Sequence, residues 1–303
     1  MPDIRQGSIR LFRVAGIDVF LHWSWFLIAA YEIQSRSGQY SSLGWNVAEY
    51  LALFLIVMLH EFGHALACRS VGGNANRIVL WPLGGVAYVD PPQRPGATLW
   101  SIAAGPLVNV ALAPVLYGAL LATRFLGLTE SMPDVAALVR SLLLIDVLLL
   151  VFNLLPIYPL DGGQILRSLL WYVLGRARSL MVATALGFVG VAGFLLLAFR
   201  SGSMWYAALG IFMAMNCWSG LKHARMLLKI AKIPRRDGFA CPSCQTAPPL
   251  GAIWMCPRCE QPFDMFENGA VCPCGAEFAV TPCMDCGATH PISEWAVAPM
   301  AAK

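Results

Sequence analysis

His60, Glu61 and His64 stand in the run LHEFGHALA. On a helix, positions i and i+4 share a face, so both imidazoles can reach one Zn2+, with Glu61 beside them as a base for water. The pattern alone has an appreciable chance rate, but here it lies inside an apolar stretch, where ionisable side chains are costly and point to function. A catalytic zinc takes three protein ligands and leaves a place for water, so one more ligand is needed. Asp161, in NLLPIYPLDGGQ, is the strongest candidate. Pro156 and Pro159 interrupt the preceding helix, and Gly162 and Gly163 permit a tight turn, which presents the carboxylate at a broken helix end. A helix-capping aspartate is the plainer reading of the same residue. Zinc in such a set lowers the pKa of water to ~7 and polarises a carbonyl, while Glu61 takes the proton and passes it to a leaving amine.

Polar groups elsewhere in the apolar stretches extend the candidate site. Asn153 and Asn109 could each donate to a developing oxyanion or hold a substrate backbone. The alternative for both is an interhelical hydrogen bond. Asp146 falls on nearly the same helical face as Asn153 and reads more readily as a packing residue than as part of a water path. His22 reads as a hydrogen-bonding group at the membrane edge, and His223 as an interfacial side chain. Cys68 and Cys217 read as small buried apolar residues.

The other eight cysteines form four close pairs: Cys241 with Cys244, Cys256 with Cys259, Cys272 with Cys274 and Cys283 with Cys286. Such spacing turns two thiolates toward one metal, so four pairs make two structural zinc sites of four thiolates each. The pairs can combine in three ways, and sequential and nested arrangements are both open. His290 could replace one thiolate. Closed sites of this kind contribute folding energy and no chemistry.

HEFGH, the later NxxPxxPLDGG, AGPLVN from Ala104 to Asn109 between them, and GIDVFLHWS near the start together resemble the site-2 protease family of intramembrane zinc metalloproteases. The resemblance covers roughly residues 8 to 230. It implies that His60, His64 and Asp161 bind zinc, that Glu61 activates water, and that the reaction is hydrolysis of a peptide bond in or beside a transmembrane helix of a membrane-protein substrate. No stretch resembles the PDZ or CBS domains that some relatives carry.

These residues need a scaffold that the composition already restricts. The chain is 58% hydrophobic and 13% charged, with mean hydropathy +0.63, which excludes a purely soluble, disordered or fibrous protein. Apolar stretches able to cross a hydrocarbon core of ~30 Å occur about six times. They lie near 18–34, 45–68, 99–122, 135–155, 179–199 and 204–221, and 160–174 could be a shorter re-entrant helix. Residues 8–21 and 78–90, rich in β-branched residues and broken by Gly or Pro, read as short strands at the membrane edge. The second could offer an edge to an extended substrate, with Gly84 and Gly85 allowing close approach. The expected fold is therefore an α-helical membrane protein with membrane-edge β segments and a small C-terminal zinc ribbon. A break in composition at Pro234 to Gly238 separates a membrane domain, 1–233, from a ribbon domain, 239–303.

Six spans put Arg5, Arg10, Arg13, Arg69, Arg77, Arg94, Arg167, Arg176, Arg178 and the basic run from Lys222 to Arg236 on one side, against Arg36, Arg124 and Arg200 on the other, with Arg140 just inside a span. The positive-inside rule then places both termini in the cytosol, across the cytoplasmic membrane of a prokaryote, where thiols stay reduced. The ribbon could bind a substrate or protein partner. Nucleic acid is disfavoured, because residues 241–303 offer only Arg258 and Lys303 as basic groups. Two non-enzymatic readings compete: a membrane zinc transporter or sensor, and a scaffold whose ribbon recruits partners. A transporter needs neither a Glu between the histidines nor the proline-broken LDGG turn, and an intact Glu61 argues against a disused core.

Overall fold

The computed structural model describes residues 7–35, 38–81 and 84–296. Among the described residues four helices are long and apolar enough to cross a membrane: α2 (Leu43–Ser70), α3 (Pro95–Phe125), α5 (Pro133–Leu154) and α6 (Asp161–Ser201). Between α3 and α5 lies the single turn α4 (Leu128–Ser131), and α7 (Met204–Ala231) packs back along α6. α6 is two helices in series. Gly175 takes φ 77° and ψ 168°, a conformation open to glycine, and breaks it between the segment expected as re-entrant and the segment expected to span.

The segment 18–34, expected as the first spanning helix, is instead strand β2 (Ile17–His22) followed by α1 (Ser24–Ser35). Twelve residues of helix reach only ~18 Å, too little for a hydrocarbon core. The strand shows in its burial, which alternates residue by residue as a pleat requires. Strand and helix still carry the chain along α2. β2 pairs in parallel with β3 (Asn74–Trp81), which follows α2 directly, and Trp25 of α1 packs edge-on against Tyr50 and Phe54 in the first half of α2. Tyr50 Oη donates to the Trp25 carbonyl at 2.9 Å.

β1 (Ser8–Val14), β2, β3 and β4 (Gly84–Asp90) form one sheet in that order, with the two outer pairings antiparallel. Ile17, Val19 and Leu21 of β2 and Ile78 and Leu80 of β3 bury against Val57, Ala65 and Cys68 of α2. The sheet is thus fixed to the half of α2 that carries the histidines. At the other end of α2, buried Glu49 accepts from Tyr40 Oη at 2.5 Å and from Ser141 Oγ of α5 at 2.6 Å, which ties α2 to α5.

Beyond α7, residues 239–295 build their own core around the cysteines, with Trp254, Phe263, Phe266 and Trp295. Its regular structure is slight: the two-residue pairs β5 (Trp254–Met255) with β6 (Pro262–Phe263) and β7 (Thr281–Pro282) with β8 (Thr289–His290). A small unit with so little ladder depends on something else for stability.

Candidate metal centre and active site

α2 places His60 and His64 one turn apart on the face toward α3 and the start of α6, and both are buried. Asp161 is the first residue of α6, where the N-terminal dipole favours a carboxylate. His60 Nε2 lies 3.0 Å from Asp161 Oδ2, His64 Nε2 lies 3.3 Å from the same oxygen, and the two Nε2 atoms are 3.1 Å apart. Ligand atoms held by ~2.0 Å bonds at a tetrahedral centre stand ~3.3 Å from one another, so this triangle has the size that zinc requires.

The outer ring atoms say the same. His64 Nδ1 is 2.9 Å from the Ser101 carbonyl, which can only accept, so Nδ1 carries the proton and Nε2 a lone pair. His60 Nδ1 lies 2.6 Å from Asn109 Oδ1, with the same consequence. Two imidazole nitrogens and a carboxylate oxygen thus converge within 3.3 Å, and with an acceptor at each Nδ1 the neutral rings turn both Nε2 lone pairs toward one point, as a metal ion requires. The residues present fit a zinc ion.

The backbone of α3 comes close enough to require glycine. A Cβ on Gly105 would run into His64 Nε2 and lie 2.8 Å from His60 Nε2. AGPLVN therefore supplies both a glycine that clears the site and the asparagine that meets His60. β4 covers the opposite side. A Cβ on Gly85 would run into the Glu61 side chain, and the Ala87 N–H donates to Glu61 Oε2 at 2.7 Å. Glu61 is buried, pinned to an edge strand and one residue from a ligand.

The two asparagines fall differently. Asn109 is fully buried, with both ends of its amide engaged, toward His60 and toward Asp146. It lies at the site without exposed surface, and one N–H of its amide goes to Asp146, so the role expected for it, contact with an oxyanion or substrate, would fall to the second N–H. Asn153, half-buried near the end of α5, has no hydrogen-bond partner among the described residues. His22 stacks on Trp81 at 4.2 Å between ring centroids and meets Ser24 Oγ, away from the ligand triangle. Cys68 and Cys217 are fully buried, and the Cys217 thiol donates to the Tyr158 carbonyl.

The ribbon cysteines pair in the nested way. Cys241 and Cys244 meet Cys283 and Cys286, and Cys256 and Cys259 meet Cys272 and Cys274. Four cross-pair Sγ separations, two in each cluster, are 3.7 Å. Zn–S bonds of ~2.3 Å at a tetrahedral centre demand ~3.75 Å, so both clusters also fit zinc. Burial and the neighbouring thiols push Cys272 up to about 12, and burial pushes Cys286 up to about 11, while, against burial, hydrogen bonds from the backbone and the neighbouring thiols bring Cys256 down to about 7, so each cluster holds protons unevenly and a metal would displace those on Cys272 and Cys286. His290 is engaged by Ser243 and Glu294 outside both clusters.

With the geometry in place, comparison with known proteins gives a consistent result. The family model described as peptidase family M50 matches residues 48–134 and 128–197. The chain is 35% identical over 181 residues to the zinc metalloprotease MJ0392 of Methanocaldococcus jannaschii, covering 59% of this chain and 50% of that protein. It is 29% identical over 251 residues to the putative zinc metalloprotease sll0528 of Synechocystis, covering 73% and 62%. The chain therefore spans between half and two thirds of the length of these curated relatives. Among solved structures, the site-2 protease of Methanocaldococcus jannaschii superposes with a TM-score of 0.52 at 30% identity, covering 71% of this chain and 95% of the other.

Proposed function

Because the chain belongs to the site-2 protease family of M50 peptidases, we propose that it is a multi-pass membrane zinc endopeptidase that cuts peptide bonds in or near transmembrane segments of membrane proteins. The observation that carries this reading is the convergence of His60 Nε2, His64 Nε2 and Asp161 Oδ2, with the Glu61 carboxylate alongside. A zinc ion held there supplies a Lewis acid, which makes water a nucleophile near neutral pH and polarises a carbonyl.

The chain's own groups do the rest. Glu61, held at Oε2 by the Ala87 amide, keeps Oε1 to take the proton from water and later deliver it to the leaving amine. Asn153, with an uncommitted amide near the start of α6, supplies an N–H to the developing oxyanion. A helical substrate must unwind before attack, because its amides are closed by their own hydrogen bonds. β4 is the edge of the sheet next to Glu61, so an extended peptide laid along that edge would pass the base. Two further zinc ions in the ribbon hold its fold. The basic residues favour a cytoplasmic membrane with both termini in the cytosol and the ribbon free to meet a protein partner there.

The test is Glu61→Gln in full-length protein reconstituted with a panel of single-span peptides, with cleavage read by mass spectrometry and zinc by elemental analysis. We expect retained zinc and cleavage reduced by at least ~10²-fold, the usual contribution of a positioned base. Cleavage at the wild-type rate would reject Glu61 as the base, and absence of cleavage by the wild type across the panel would favour the scaffold reading.

A further inference from the structure

Asp146 is the one fully buried carboxylate of α5, and what it touches is an amide already committed to the metal centre. Asn109 Nδ2 donates to Asp146 Oδ1 at 2.6 Å, and Asn109 Oδ1 stands 2.6 Å from His60 Nδ1. The three groups come from α5, α3 and α2 and form a single line into the ligand triangle. Among the described residues Asp146 Oδ2 has no hydrogen-bond partner, so Asn109 is the carboxylate's one contact of this kind there.

An amide can stand either way round, and the two ways have opposite consequences for His60. A carboxylate oxygen accepts, so Asp146 draws the NH2 end of Asn109 toward itself and leaves the oxygen for the imidazole. An amide oxygen also only accepts, so His60 must carry its proton on Nδ1 and present Nε2 as a lone pair. Were the amide reversed, its NH2 would face Nδ1, drive the proton to Nε2 and close that ligand to a cation. His64 needs no such device, because the Ser101 backbone carbonyl cannot turn round.

We propose that Asp146, acting through Asn109, is a positioning residue that fixes the tautomer of His60 and so sets the affinity of the membrane metal site. This rests on the reading of His60, His64 and Asp161 as a zinc site. It also accounts for an isolated carboxylate in a membrane helix, where an apolar side chain would serve packing better.

The polarity of the pair can be exchanged without changing its shape, and that separates positioning from packing. In Asp146→Asn, the new amide can donate as well as accept, so Asn109 is free to turn its NH2 toward His60. In Asn109→Asp with Asp146→Asn, the new aspartate can only accept from His60 while the new asparagine donates to it. Full-length variants would be equilibrated at buffered free zinc, and the membrane equivalent read as zinc above that of a His60→Ala/His64→Ala reference. Loss of the partner that orients a metal ligand lowers metal affinity roughly 10–100-fold, which is the effect expected for Asp146→Asn and for Asp146→Leu. The double exchange should recover most of it. A double exchange as weak as Asp146→Asn would overturn the proposal, and so would Asp146→Leu binding zinc like the wild type. If Asp146→Leu fails to fold, the exchange pair decides alone. A wild type with no zinc above the reference would bring down the metal reading itself, and this inference with it.

Discussion

At the scale of single residues, the space around the site is as informative as the ligands. Gly105 and Gly118 lie on the same helix, yet a Cβ at Gly105 would enter the two imidazoles, whereas one at Gly118 meets nothing within 4 Å. Gly105→Ala should therefore lose the membrane zinc and its activity, because the obstructing atoms belong to ligands and the backbone of α3 cannot retreat without moving Asn109. Gly118→Ala should leave both unchanged and stabilise the helix by up to ~1 kcal/mol. Elemental analysis and a thermal melt of each variant check this; zinc retained by Gly105→Ala would show that the helix has room the geometry denies. That His60, His64 and Asp161 come together was legible in the sequence because i, i+4 spacing is local arithmetic and LDGG announces a broken helix. What Asn109 does was not legible. Its use depends on Asp146, 37 positions away on another helix, and no spacing rule carries that contact.

At the scale of elements, the strand β4 holds Glu61, the proposed base, through the Ala87 amide. Ala87 gives its N–H to Glu61 and not to the strand beside it, so proline there removes one donor while sparing the ladder, as edge strands tolerate. A hydrogen bond to a charged group is worth ~1.5–3 kcal/mol, so Ala87→Pro should slow cleavage by roughly 10–100-fold with zinc retained. A wild-type rate in the peptide assay would show that Glu61 needs no such anchor. The strands at 8–21 and 78–90 were readable from β-branched residues and Gly or Pro breaks. The apolar run 18–34 misled because a buried strand and the start of a spanning helix look alike over a few residues. Asp18 and His22 were the available signal: both sit in β2, on the side that alternates away from the core.

At the scale of the whole molecule, α6 meets the ribbon beside one of its two knuckle sites, while Arg236 of the connector pairs at 2.6 Å with Asp264 beside the other. Arg176, immediately after the break in α6, donates to the carbonyls of Met284 and Asp285, at 3.4 and 3.0 Å, and its guanidinium lies over Trp171. Arg235 pairs with the Asp285 carboxylate through both nitrogens, at 2.7 and 3.1 Å. The cluster of Cys241, Cys244, Cys283 and Cys286 is therefore braced, while the cluster of Cys256, Cys259, Cys272 and Cys274 contains the exposed Cys274. The sequence showed four pairs but could not choose among three pairings, since that choice is made by the fold of sixty residues and not by spacing. Burial raises Cys272 to about 12 and Cys286 to about 11, so without metal these thiols keep their protons across the neutral range. Zinc must displace protons to bind, so affinity falls as pH falls, by up to about tenfold per pH unit for each proton displaced. Stepwise acidification against a chelator should thus release zinc from both clusters, the Cys274 cluster first and the braced one after it. Arg176→Ala with Arg235→Ala removes both contacts to Met284 and Asp285, and the two steps should merge, with trypsin gaining access to Arg236 in the connector at the same pH. Two steps that persist in the double variant, with the connector still protected, would mean that the order of release comes from the clusters themselves and not from these contacts.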